Sequence, residues 1–174
     1  MYRIIPEPPE VAPQIDILLD RAFGPGRRKK TAQMLREGQR PASGLTLIAI
    51  ENGRLVGTIR FWHLRVGGRV PALLLGPVAV DSDERSRGIG AALIRRGLAV
   101  ARSQGHGAVI LVGDEAYYRR FGFRAELARR MTLPGPVDRR RFLAMELIPG
   151  ALAPAAGRVH PAGQPEPRRA RRAA

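Results

Sequence analysis

Arg85-Ser86-Arg87-Gly88-Ile89-Gly90 lies between an apolar run that ends at Val80 and an amphipathic stretch that begins at once. A strand that feeds a glycine-bearing turn at a helix N-terminus builds an anion site. The first amides of the helix have no intrahelical acceptor, and the helix dipole favours negative charge there. Gly88 and Gly90 let the backbone come close to a phosphate, and Arg85 and Arg87 add full positive charge. A P-loop is excluded, because it needs G-x-x-x-x-G-K-[ST] and the only lysines are Lys29 and Lys30. A dinucleotide fingerprint needs a third glycine where this chain has Leu93. The pattern that fits is R-x-x-G-x-G, with Arg85, Gly88 and Gly90 in place. The plainer reading is an ordinary helix start with a flexible turn.

Two other segments bear on the choice. In Gly76-Pro77-Val78-Ala79-Val80-Asp81, a Gly-Pro pair inside a strand breaks the ladder, so a β-bulge is expected there. Tyr117-Tyr118-Arg119-Arg120-Phe121-Gly122-Phe123 follows the β-rich run Ala108 to Asp114. A phenol titrates near about 10 and a thiol near about 8.5, so a tyrosine here holds a proton at neutral pH that a thiolate could take. Tyr118 also fits a plain aromatic at the core edge.

Together these segments resemble the GNAT superfamily of N-acetyltransferases. R-x-x-G-x-G resembles its acyl-CoA pyrophosphate loop, and Tyr118, Gly122 and Phe123 match its Y-x-x-x-G-F. The likeness covers about Tyr2 to Ile148 and is strongest from Leu73 to Phe123. It implies acetyl-CoA as co-substrate and direct acyl transfer to a primary amine of a small molecule or peptide. It implies a pyrophosphate held by Arg85, Ser86, Arg87, Gly88, Ile89, Gly90 and Ala91. The pantetheine would lie along Val78, Ala79 and Val80 on a strand that splays from its neighbour. Tyr118 would protonate the departing thiolate, with Tyr117 as the substitute. Backbone N–H groups of the bulged strand would stabilise the oxyanion. The attacking amine must be neutral, and the candidate bases are Asp81, Asp114, Glu115 and His63, none of them placed by a motif. Asp81 fits equally as a strand terminator, and Asp114 as an N-cap. His63 points away from Trp62 and Leu64, into either an acceptor groove or solvent.

The elements that must position these groups follow from periodicity. Strands are expected at Tyr2 to Ile5, Leu45 to Glu51, Arg54 to Leu64 and Val70 to Val80. Asn52-Gly53 and Gly67-Gly68 are the turns of a three-stranded meander. Val11 to Phe23 carries a helical stripe. Arg28 to Glu37 reads as a second helix with Ala32, Met34 and Leu35 inward. Arg87 to Gln104 reads as a third, with Ile89, Leu93, Gly97 and Val100 on one face. Ala108 to Val112 is a strand and Asp114 to Phe121 a short helix. Phe123 to Leu133 and Arg140 to Ile148 are further strands around Pro134-Gly135-Pro136. The resulting fold class is α/β (α+β): a mixed, mostly antiparallel sheet of six or seven strands flanked by about four helices. This is the architecture that the resemblance implies.

Composition sets the outer bounds. A chain of 174 residues suits one domain with a sizeable core. It has no cysteine, which excludes disulfides, a zinc-thiolate site and a cysteine nucleophile, and no metal is assigned. No apolar run approaches the ~20 residues of a membrane helix. The opening MYRIIPEPPE lacks the pattern of a secretory signal, so a cytoplasmic location is the default expectation. The formal net charge is +15, which attracts polyanions and anionic cofactors. The basic segments Gly24 to Arg40 and Arg65 to Arg69 are expected to set the acceptor and to favour an acidic or phosphorylated one. After Pro149, Ala, Pro, Gly and Arg dominate, and residues 149–174 are expected to form a disordered tail that ends in Arg168, Arg169, Arg171 and Arg172. That tail would bind polyanions weakly and without specificity. Related folds imply homodimers through their last two strands. Two rival readings are a catalytically silent acyl-CoA sensor and a basic nucleic-acid-binding protein. The latter lacks interleaved surface aromatics, since aromatics make up only 5% of the chain.

Overall fold

The computed structural model describes residues 1–167. Its spine is a long hairpin of β3 (Arg54–Val66) and β4 (Val70–Val80), turned by Gly67 and Gly68, both at positive φ. Asn52 and Gly53, also at positive φ, turn β2 (Thr46–Glu51) into β3, as the primed hairpin turn requires. β1 (Arg3–Pro6) adds antiparallel to β2. On the far side β4 pairs in parallel with β5 (Ala108–Val112), and β5 pairs antiparallel with β7 (Phe142–Glu146). The strand order is β1-β2-β3-β4-β5-β7.

Helices cover both faces. Along β2, Leu47 and Ala49 join one core while Ile48 joins another, the alternation of a sheet buried on both sides. α3 (Ile89–Ser103) lies on the first face, with Ile89, Leu93, Ile94, Gly97, Leu98 and Ala101 buried. Its approach is set by glycines. A Cβ on Gly97 would fall 2.5 Å from the Phe61 ring, and one on Gly57 would fall 3.0 Å from Leu93. α1 (Ala12–Phe23) lies on the second face through Ile15, Leu18 and Leu19.

Several expectations are corrected. Arg28 to Glu37 is not one helix: a 3-10 turn spans Pro25–Lys29, and α2 (Thr31–Met34) is a single turn. Lys30 between them is extended. Leu35 is buried as expected, but Met34 is half exposed. Phe123 to Leu133 is mostly irregular. Glu126–Ala128 is a 3-10 turn, and only Met131–Thr132 remains as β6. α4 (Glu115–Tyr118) is also one turn, continued by a 3-10 turn at Arg119–Phe121.

The expected tail is largely ordered where it is described. β8 (Gly157–Pro161) pairs with β6, and also with Leu64 to Val66 of β3, on the edge that β2 leaves free beyond Arg60. Leu152, Ala155 and Val159 are buried against Trp62, Leu64 and Phe142. Three apolar residues among alanines and prolines gave no periodic face. Their partners are non-local, so composition alone misread the segment. The C-terminal arginine cluster lies outside the described residues. Among the described residues, no helix is long and apolar enough to cross a membrane.

Candidate active site

β4 and β5 are paired only at Leu73–Val109 and Leu74–Ile110, after which the sheet opens. The cause is a bulge. Ile59 faces Val78 and Phe61 faces Leu75, so Gly76 and Pro77 together oppose the single residue Arg60. Gly76 sits at φ +127°, and the Trp62 indole N–H donates to its carbonyl at 2.6 Å, which holds the bulge in place. The expected break is therefore present at the expected dipeptide. Beyond it, the Asp81 amide donates to the Val56 carbonyl at 2.9 Å. That bond fixes the phase of the ladder. Antiparallel strands alternate, so Ala79 bonds towards β3 while the main-chain groups of Val78 and Val80 face the opening.

The chain then turns through Ser82–Glu84 and reaches Ser86 at φ +67° and Gly88 at φ +76°. Left-handed residues set between ordinary ones turn successive amides inward, the geometry of an anion-binding nest. α3 follows directly, so the amides of Ile89, Gly90 and Ala91 have no intrahelical acceptor. Arg85 is exposed at the rim. Arg87 is corrected as a cofactor side chain. Its guanidinium is bound to Glu51 at 2.6 and 3.0 Å and also to Glu84. It therefore braces the loop against β2, and what it offers a ligand is its amide. The Arg87 hydrogen bond, with the N-terminal amine second, holds the Glu51 carboxyl down to about 2.

The two tyrosines diverge. The Tyr117 hydroxyl lies on the Gly90 side, 3.7 Å from where a Cβ on Gly90 would be. Tyr118 turns towards the opening and packs over Gly113, where a Cβ would meet its ring at 2.4 Å. Phe123 meets the ring edge-on at 5.9 Å between centroids. Burial first, and Tyr117 second, push the Tyr118 phenol up to about 12, partly opposed by nearby Arg141.

Tyr118 opens onto a cleft of about 610 Å³ walled by Leu75–Val78 of β4, Leu111–Asp114 at the end of β5, and the α2 region. Of the four base candidates, only Asp114 lines it. Its Oδ1 also caps α4, accepting from the Ala116 amide at 3.3 Å. The other three are corrected. Asp81 accepts from the Asp83 amide at 3.1 Å, Glu115 from the Ala125 amide at 3.1 Å, and His63 packs against His106 at 5.6 Å on the α3 face. The basic segment Gly24 to Arg40 does wall the cleft, whereas Arg65 to Arg69 lies at the far hairpin end beside β8. The sequence did not single out Arg36 or Arg141, both of which line the cleft, because their place depends on packing between distant segments.

Comparisons with known proteins agree with this geometry. A family model described as an acetyltransferase (GNAT) domain matches residues 9–125. An uncharacterized N-acetyltransferase of Escherichia coli, YhbS, is 31% identical over 154 residues, spanning 88% of this chain and 92% of that protein. The crystal structure of E. coli YhbS in complex with CoA superposes with a TM-score of 0.77 over 93% of this chain and 89% of that one. A GNAT family acetyltransferase from Brucella melitensis in complex with acetyl-CoA is 32% identical, with a TM-score of 0.58 over 83% of this chain and 95% of that one.

Proposed function

The chain belongs to the GNAT acetyltransferase family, and from that premise we propose that it moves an acetyl group from acetyl-CoA to a primary amine by direct attack in a ternary complex. The observation that carries this reading is the continuity of three features. The loop amides from Ser86 to Ala91 lead to the open edge of β4 at Val78 and Val80, and that edge leads to Tyr118 at the mouth of the cleft. The two similar proteins whose crystal structures hold CoA and acetyl-CoA support the same occupant here.

In this mechanism the nest and the α3 N-terminus take the pyrophosphate. The exposed main-chain groups of Val78 and Val80 pair with the pantetheine amides as a further strand would. The incoming ammonium loses a proton to Asp114, directly or through water, because only the neutral amine is a nucleophile. Its nitrogen bonds to the thioester carbonyl carbon, and the oxyanion is met by amides of the bulged strand. The C–S bond then breaks. The Tyr118 phenol delivers its proton to sulfur, and the remaining excess proton of the nitrogen, passed through water, restores the phenol. The elevated pKa keeps the phenol protonated until the thiolate develops.

The test is calorimetric titration of acetyl-CoA into wild type and a Gly88→Glu/Gly90→Glu variant at low and high salt. Saturable binding that the variant loses is expected. Absent binding, or equal binding in the variant, would overturn the reading and turn attention to polyanion binding by the basic surface.

A further inference from the structure

Arg36 is a partly buried cation of the cleft wall with no counter-charge among the described residues. Its Nε donates to the Ala32 carbonyl at 3.2 Å, and among the described residues its other guanidinium N–H groups have no acceptor. It makes no ion pair there either. The two arginines whose charges act on it differ in this respect. Arg27 is bound to Asp20 at 2.6 Å and Asp16 at 3.3 Å, and Arg60 to both Glu7 oxygens at 2.9 and 2.6 Å. Arg36 follows the buried Leu35, which anchors its backbone in the core under α2. Burial first, then Arg27 and Arg60, lower its pKa to about 10, so it stays charged at neutral pH in a place that disfavours charge.

A partly buried, multiply donating guanidinium without a carboxylate is unfavourable in the empty protein and is relieved by a ligand anion. The planar fork suits a carboxylate or a phosphate, which take two parallel N–H bonds. The rest of the wall agrees. Lys29, Lys30 and Arg141 also line the cleft. Of its two carboxylates, Asp138 is bound by Arg140 at 3.0 Å and Asp114 caps α4.

Building on the proposed acetyl transfer, we infer that the acceptor is a small primary amine carrying a carboxylate or phosphate on the same molecule, and that Arg36 is the group that binds this anion. Arg36 sets acceptor specificity and takes no part in pyrophosphate binding, because Val80 and the nest from Ser86 to Ala91 do not line the cleft that Arg36 does. The guanidinium would orient the far end of the molecule while the amine reaches the cleft mouth at Tyr118 and Asp114.

The experiment uses the full chain with acetyl-CoA and matched amine pairs differing only in the anion. Phosphoethanolamine is set against ethanolamine, and ω-aminocarboxylates of increasing length against their primary amides. CoA binding is measured separately by calorimetry. Wild type is expected to favour the anionic partner of at least one pair by tenfold or more in kcat/KM. Arg36→Gln should abolish that preference through KM for the anionic amine while leaving the CoA Kd within twofold. Arg36→Lys should restore part of it, which separates charge from folding. Intact CoA binding with no preference for the anionic amines, with a preference that survives Arg36→Gln, or with no amine of either kind acetylated, would overturn this inference and leave the cofactor reading standing. Loss of CoA binding by the wild-type chain itself would overturn both.

Discussion

The Tyr118 ring fills the space that Gly113 leaves, with its edge against Phe123. That packing raises its pKa to about 12, so the folded state holds this proton more tightly than the unfolded chain does. The resulting contribution to stability is whole below about pH 10 and is lost as pH rises towards 12. Glu51 behaves oppositely. Its lowered pKa favours the fold above about pH 4.3, and this contribution fades as pH falls towards about 2. In a general-acid role Tyr118→Phe should lower kcat on the order of 10²-fold with acetyl-CoA KM within twofold. An absorbance titration should lose one phenol near pH 12. Unchanged kcat would remove Tyr118 from the chemistry. The position of Tyr118 was legible from Y-x-x-x-G-F, because Gly122 turns the chain at φ +104° and brings Phe123 back against the ring. Arg36 was not, because its lack of a partner arises only when the α2 region closes over β3 and β4.

At the scale of elements, α3 can present its N-terminus to a ligand only because its middle lies flat on β3. Gly97→Ala would drive a methyl into the Phe61 ring at 2.5 Å. Overpacking of this kind costs about 1–3 kcal/mol, against up to ~1 kcal/mol gained in helix propensity. The melting temperature should therefore fall by a few degrees, and acetyl-CoA should bind more weakly as the loop shifts. A rise in melting temperature would mean that α3 has room to spare. Local signals carried most of this layer. Asn52-Gly53 and Gly67-Gly68 marked the hairpins, and Gly76-Pro77 marked the bulge. The signals failed where an element is too short to show a period, as at α2 and β6. They failed again at β8, whose strand character comes from partners nearly a hundred residues upstream in β3.

At the scale of the whole molecule, the segment after β8 ties down the chain just beyond the α2 wall of the cleft. Arg40 donates its amide to the Gln164 carbonyl at 2.8 Å, Glu166 donates to Gly38 at 2.9 Å, and Gln39 bridges Pro165. These contacts fasten the backbone just beyond Arg36. A stop after Ala162 should raise the acceptor KM by up to about thirtyfold, since two hydrogen bonds of about 1 kcal/mol each are lost, while the CoA Kd stays unchanged. Equal loss of CoA affinity would show that the segment serves the whole fold rather than the acceptor wall alone. The gap beside Val78 and Val80 has a separate consequence. The sheet is one strand short at its centre, and whatever molecule completes it does so only in the folded state. Such a molecule adds to the stability of the native chain by mass action. On the proposed reading that molecule is the donor substrate, so resistance to heat and to proteases would rise and fall with its supply, and with it the lifetime of the protein.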